Sequence, residues 1–270
     1  MSDTKIYLLD GGSIVIDGFH MFWNVGPAGE VRIPVYSVLV EHKEGRFLFD
    51  SGFDLDHMNR VLPFEKPLQT PEQTIPGALA KIGVKPDDIT HMVNSHFHID
   101  HSGGNHHMKT AQQFCHKEEW EACLNPQPFE RLGYSYVGFA AEMMAARAKA
   151  AGQLAPAAEP HLSRPWTLLH GDVEIAKNMW LLETPGHTDG HYSLLIKGLE
   201  RKPLLFAFDV AYCRGNLDRN ICVSFHSKPE QLIRSMQRIR DLVKEHDAEL
   251  LFSHDAEDYL NYPKAPAYYS

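Results

Sequence analysis

The sequence predicts an α/β fold in which two packed sheets are flanked by helices. Two observations carry that expectation: the chain runs in a β-rich, helix, β-rich, helix rhythm, and its chemically active residues stand where strands end. Residues 6–9, 13–16, 35–40 and 46–49 are short apolar or β-branched runs separated by glycine-containing turns, which read as strands. Glu41-His42-Lys43-Glu44-Gly45 fits a hairpin loop between the last two. Thr74-Ile75-Pro76 supplies a cap followed by proline in the first turn, so a helix is expected over 74–82. Pro86-Asp87-Asp88 then leads into a strand over 90–94. Asn125-Pro126-Gln127-Pro128 breaks structure, 137–151 has helical propensity, and 154–165 reads as an Ala/Pro-rich loop. We read 124–165 as a partly helical insertion near the site, within one domain spanning 1–270. Strands return at 166–170, 173–176, 179–183, 191–196 and 204–208. A helix over 229–245 presents Leu232, Ile233, Met236, Ile239 and Leu242 as its apolar stripe. A last strand over 249–252 ends at Ser253-His254-Asp255.

Composition narrows the function classes. A hydrophobic fraction of 43% in 270 residues allows a sizeable core. The net charge of −9 and the lack of long Lys/Arg runs disfavour nucleic acid and anionic membrane as partners. No stretch approaches about 18 uninterrupted apolar residues, so no membrane span is expected. The first residues do not read as a signal peptide. Cys115, Cys123, Cys213 and Cys222 form no Cys-x-x-Cys pair, which suggests free thiols in a reducing, cytoplasmic setting.

The densest chemistry lies in Asn94-Ser95-His96-Phe97-His98-Ile99-Asp100-His101-Ser102-Gly103-Gly104. In an extended chain His96, His98 and Asp100 point the same way, and His101 turns across as the strand ends. Neutral imidazoles suit zinc and iron, and the carboxylate lets a second ion share the site. The cluster predicts a metallohydrolase. One segment does not close two coordination spheres, so further donors are expected at other strand ends. His187 in Thr184-Pro185-Gly186-His187, Asp209 after Phe206-Ala207-Phe208, and His254 after Leu251-Phe252-Ser253 meet that condition. A carboxylate ending an apolar strand is costly unless it is paired or metal-bound.

In order and spacing, His-x-His-x-Asp-His, Thr-Pro-Gly-His, a strand-end Asp and a strand-end His resemble the metallo-β-lactamase superfamily over nearly the whole chain. The resemblance implies a four-layer αβ/βα sandwich with a dinuclear centre at one edge. It implies that His96, His98 and His187 hold one metal and Asp100, His101 and His254 the other, with Asp209 bridging. It further implies that Asp50 orients a ligand histidine and that His191 is structural. Two Zn2+ per chain are expected, with iron, manganese and cobalt compatible.

Two such ions lower the pKa of a shared water, and the resulting hydroxide attacks an acyl carbon while a metal takes the oxyanion. No Ser-His-Asp motif competes with that chemistry. Within the superfamily, His98 stands where the flavodiiron oxidoreductases have glutamate, and Asp209 stands where one class of β-lactamases uses cysteine. The lactonase branch fits best. Asp209-Val210-Ala211-Tyr212 resembles the element of the N-acyl homoserine lactonases whose tyrosine faces the lactone carbonyl. Tyr212 is thereby expected to donate to the oxyanion, and Asp100 to protonate the leaving alkoxide.

Three segments outside the metal motif, 61–67, 73–79 and 125–135, resemble the 4-pyridoxolactonases of vitamin B6 breakdown. That resemblance implies a bicyclic aromatic lactone as the small-molecule substrate. Phe64, Phe129 and Tyr134 are candidates to stack on it, Arg131 to meet a ring oxygen, and His226 to reach the pocket. N-acyl homoserine lactone hydrolysis is the alternative, ahead of glyoxalase II-like thioester or phosphoester hydrolysis. The aromatic tail (Tyr259, Tyr262, Tyr268, Tyr269) is a candidate homodimer interface.

Overall fold

The computed structural model describes residues 4–134 and 166–270. The expected helix over 137–151 and loop over 154–165 lie outside the described residues. Strands β1 (Lys5–Asp17), β2 (Glu30–His42), β3 (Gly45–Phe49), β4 (His91–Val93), β5 (Gln112–His116) and β6 (Trp166–Leu169) form one sheet in that order. Its first three strands are antiparallel and the later pairs parallel. The second sheet contains β7 (Val173–Ala176), β8 (Met179–Glu183), β9 (Tyr192–Ile196), β10 (Leu204–Phe206) and β11 (Glu249–Leu251), in the order β11-β10-β9-β8-β7. Only β10 and β11 run parallel there. The described helices are α1 (Gly18–Met21), α2 (Leu55–Val61), α3 (Ile75–Ala80), α4 (Ile99–Ser102), α5 (Lys117–Leu124), α6 (Arg214–Arg219), α7 (Pro229–His246) and α8 (Ala256–Asn261).

Side-chain alternation along the strands builds the layers. Val38, Val40, Phe47 and Phe49 face Leu181, Leu194, Ile196 and Phe206 across the gap between the sheets. Their sequence neighbours Leu39 and Leu48 face outward, onto Ile75, Ala78 and Leu79 of α3. On the second sheet, Leu182, Leu195 and Leu205 meet Leu232, Met236 and Ile239 of α7. The result is the αβ/βα arrangement that the sequence predicts.

Several expectations are corrected in detail. Runs 6–9 and 13–16 belong to one strand, interrupted by a register shift between Asp10 and Ser13. Gly12 (φ 98°) allows it, because a β-carbon there would collide with Leu68 O. Strand β5 escaped prediction: Gln112, Gln113 and His116 hide a buried parallel strand behind polar letters. The 204–208 run stops at Phe206, since Phe208 adopts φ 47° and a 3-10 turn follows. Ile233 is exposed, and Ser235 takes the buried face of α7 instead, donating to Pro185 O at 2.7 Å.

The tail folds back on its own chain. Tyr269 pairs with Ile6, Tyr259 stacks on Tyr36 with centroids 5.5 Å apart, and the Tyr262 hydroxyl accepts from Phe252 N. Those rings are already packed, so the tail as a homodimer surface is reduced to the half-exposed Tyr268. Among the described residues no disulfide joins the four cysteines. Among the described residues no helix is long and apolar enough to cross a membrane.

Candidate metal centre

The strand directions bring the carboxyl ends of β3, β4, β8, β10 and β11 to one edge, where Asp50, His96, His187, Asp209 and His254 follow. The extended-chain reading of the histidine cluster is corrected here. Strand β4 ends at Val93, and residues 99–102 form the single helical turn α4. That turn swings Asp100 and His101 away from His98, so the segment feeds two subsites. Gly186 (φ 130°) packs so closely against the start of α7 that a β-carbon would strike Leu232 N, which fixes the turn that delivers His187.

Asp209 lies between two groups of donors. Its Oδ2 is 3.7 Å from His96 Nε2 and 3.2 Å from His187 Nε2. Its Oδ1 is 3.3 Å from both His101 Nε2 and His254 Nε2. His98 presents Nδ1 to the first group, 2.9 Å from His187 Nε2, while Asp100 Oδ2 stands 3.5 and 3.4 Å from His101 and His254 in the second. The structure thus gathers His96, His98, His187 and Asp209 at one subsite and Asp100, His101 and His254 at the other.

The hydrogen bonds behind these rings set their tautomers. His187 Nδ1 donates to Phe225 O at 2.6 Å, His254 Nδ1 to Pro34 O at 2.8 Å, and His101 Nδ1 to Asp50 Oδ2 at 2.8 Å. Ser95 donates its hydroxyl proton to Asp50 Oδ2 at 2.7 Å and therefore accepts from His96 Nδ1 at 3.0 Å. Each of these imidazoles consequently turns Nε2 inward, as a bare lone pair whenever the ring is neutral. His187 and His96 face each other at 3.2 Å between such lone pairs, and His101 Nε2 is buried without a hydrogen-bond partner. A cation among them converts repulsion into coordination, so the donor set fits metal ions.

Electrostatics agree with that fit most directly at the first subsite. Burial, reinforced by His101, holds His96 well below the usual imidazole range, and burial with His187 does the same to His98. Both stay neutral, as ligands must. At the other subsite burial would lower His101, but Asp209, Asp100 and Asp50 outweigh it and hold the ring well above its ordinary value, so an ion bound there would have to displace a proton from Nε2. Asp209 remains well below the carboxylate range despite burial, because His101 and His254 flank it.

A cavity of about 410 Å³ opens over both subsites. Phe64, Phe129, His226, Asp100 and Tyr212 line it. Tyr212 packs edge-on against His254 with centroids 4.9 Å apart, and its hydroxyl has no hydrogen-bond partner among the described residues. Arg131 and Tyr134 are not brought to the cavity. Arg131 projects from the turn to solvent while its neighbours Glu130 and Leu132 face inward. Tyr134 is buried behind His98, 5.3 Å between centroids, and packs against that ring.

Two carboxylates at the site were not singled out from the sequence. Glu65 lines the cavity. Glu119, on the first turn of α5, is fully buried and accepts from Phe97 N at 2.8 Å and Gly190 N at 3.2 Å. It ties the loop bearing His96 and His98 to the loop that follows His187. Nothing in the local Lys-Glu-Glu-Trp string distinguishes it from a solvated helix face. His191, the expected structural histidine, accepts from Asp209 N at 3.1 Å and so steadies that strand end.

A third group, His116, His170 and Glu183, also converges. Its chemistry differs. His116 Nδ1 accepts from Glu118 N at 3.0 Å, which leaves the proton on Nε2, where it is donated to Glu183 at 2.7 Å. His116 therefore has no lone pair left for an ion. Substituting His116→Ala is expected to leave metal content unchanged and to cost roughly 1–3 kcal/mol of stability by removing a buried hydrogen bond. Elemental analysis with denaturant melts checks both halves.

Comparison with known proteins closes the assignment of class. The metallo-beta-lactamase superfamily model matches residues 31–254, and the chain belongs to that superfamily. It is similar to the N-acyl homoserine lactonase AttM of Rhizobium radiobacter, 26% identical over 283 residues and covering all of both chains. It is likewise 26% identical to the N-acyl homoserine lactonase AiiA of Bacillus thuringiensis subsp. kurstaki, covering 99% of this chain and 100% of the relative. Among solved structures, an N-acyl homoserine lactone hydrolase with N-hexanoyl-L-homoserine bound at its catalytic metal centre superposes with a TM-score of 0.81 at 27% identity, covering 99% of this chain and 100% of the other.

Proposed function

We propose that this chain is a dinuclear-metal lactonase. The observation that carries the reading is Asp209 placed between two donor groups, with the free hydroxyl of Tyr212 facing the same cavity. Two divalent ions held by the seven ligands, with zinc the best match to an imidazole-rich set, would supply Lewis acidity and a water of lowered pKa. Apolar walls, Phe64, Phe129 and Leu132 among them, bind and orient the lactone. Burial, followed by Asp209, Asp100 and Glu65, holds the Tyr212 hydroxyl well above its usual range, so it stays protonated and donates to the oxygen that gains charge. Asp100, at the cavity floor, is placed to pass a proton to the leaving alkoxide.

N-acyl homoserine lactones are the favoured substrate class, supported by full-length relatives named for that activity. A second reading, 4-pyridoxolactone, is favoured by one observation. Two of the segments that resemble the 4-pyridoxolactonases, 61–67 and 125–135, supply Phe64, Glu65, Phe129 and Glu130 to the cavity wall. Steady-state rates with zinc-loaded protein on N-hexanoyl homoserine lactone and 4-pyridoxolactone decide between them by kcat/KM. Hydrolysis of neither would sink the lactonase reading. Tyr212→Phe is expected to lower kcat by about 10²-fold with KM little changed, since it removes one oxyanion donor.

A further inference from the structure

Glu65 is an anomaly in the cavity wall. It ends the 3-10 turn Pro63–Glu65, whose neighbours Leu62 and Phe64 are apolar and which faces Ile14, Ile16 and Ile33. Its carboxyl makes no hydrogen bond or ion pair among the described residues. Burial, and then the negative charge of Asp100, push that carboxyl up to about 8, with His254 pulling the other way. A partly buried carboxyl without a partner costs free energy, and no described residue offers it a donor.

The turn that carries Glu65 is held rigidly. Lys66 closes it at φ 43°, and its carbonyl oxygen accepts from Nη1 and Nη2 of Arg32 at 3.3 Å each. Two residues on, Leu68 exchanges backbone hydrogen bonds of 2.8 and 2.9 Å with Ser13 of β1. Pro63 and Pro67 remove freedom on either side. An acceptor fixed on a braced turn beside Asp100 and Tyr212 is preorganised for a ligand.

We propose that Glu65 is a specificity-determining residue, whose carboxyl takes a hydrogen-bond donor carried on the substrate next to the lactone ring. The proposal rests on the lactonase reading and deepens it. The required chemistry is an N–H or O–H one or two bonds from the ring. An acylamino substituent on a butyrolactone supplies it, and so does a hydroxyl beside the carbonyl of a bicyclic aromatic lactone. A lactone without that donor leaves the Glu65 carboxyl unpaired in the complex, which is the kind of mismatch that rejects analogues strongly.

The test uses zinc-loaded full-length protein and two matched pairs of lactones. One pair is N-hexanoyl homoserine lactone and its isostere with CH2 in place of N–H. The other is 7-hydroxyphthalide and phthalide. The wild-type protein should prefer the donor-bearing member of one pair by at least tenfold in kcat/KM, and which pair shows it identifies the source of the donor. Glu65→Leu should abolish that preference by lowering only the donor-bearing rate, and Glu65→Gln, which retains an acceptor oxygen, should restore part of it. Metal content should be equal in all three proteins. Equal loss on both members of a pair, or no loss on either, overturns the proposal. If no lactone is opened, the lactonase reading fails, and binding of the corresponding lactams then decides Glu65 separately. Tenfold weaker binding of only the donor-bearing lactam to Glu65→Leu upholds the proposal, whereas parallel or absent changes reject it.

Discussion

Asp209→Ala is expected to lower kcat by at least roughly 10³-fold, to reduce bound metal below two ions per chain, and to yield a folded protein. The carboxylate faces both donor groups, three imidazoles on one side and two on the other. Removing it takes away the only anion among the described residues that is common to both subsites. Two ions held close together repel, and a shared anion offsets that repulsion, so one subsite should lose its ion first. Asp209→Asn separates charge from shape. It keeps an oxygen that can accept from Ser253 Oγ, now 2.8 Å from Asp209 Oδ1, and replaces the other oxygen, which faces His96 and His187, with an uncharged NH2 of nearly the same size that does not ligate. If metal binding depends on charge, Asn should behave like Ala in elemental analysis while melting closer to the parent. Activity within tenfold of the parent in Asp209→Ala would defeat the mechanism, since tenfold is only about 1.4 kcal/mol of barrier.

The seven donors were legible because each is announced locally. Four share one short segment, and the other three end apolar runs where a polar residue is expensive. The double layer of sheets was legible from the β-rich, helix, β-rich, helix rhythm, whereas the facing was not: Leu181 and Leu182 are both apolar and face opposite sides of β8. What sequence hid was direction over a few residues. The turn α4 replaces an extended chain and decides which subsite receives Asp100 and His101. Strand β5 was hidden because its burial comes from neighbours distant in sequence. The two carboxylates Glu65 and Glu119 were hidden for a related reason. A Glu on a polar segment reads as solvated until tertiary packing removes the solvent, and only the fold brings Glu119 to Phe97 and Gly190. Arg131 failed the other way: within one turn, adjacent side chains diverge, and spacing does not say which faces the cavity.

Asp50→Asn should lower metal affinity by roughly 10–100-fold while changing its own volume hardly at all. Asp50 is buried at φ 59°, a left-handed conformation that costs on the order of 1–3 kcal/mol in a residue with a side chain and persists only where its contacts over-determine it. Those contacts are three donors: Ser95 N at 2.8 Å, Ser95 Oγ at 2.7 Å and His101 Nδ1 at 2.8 Å. Burial raises the Asp50 carboxyl above its ordinary value, opposed chiefly by His101. An amide satisfies the Ser95 N–H through its oxygen but turns an NH2 towards Ser95 Oγ and His101. His101 must then accept at Nδ1, which moves its proton to Nε2, the atom that faces Asp209 and Asp100. A protonated Nε2 does not ligate. Ser95 Oγ, now an acceptor for the amide, also stops accepting cleanly from His96 Nδ1, so the disturbance reaches both subsites. Asp50→Ala removes the acceptor outright, strands three buried donors, and should cost about 3–5 kcal/mol of stability in addition. Competitive zinc titration against a chelator, paired with denaturant melts, separates the variants. The tautomer argument requires Asn to lose metal affinity at nearly unchanged stability, and equal zinc binding by Asp50→Asn and the parent would refute it.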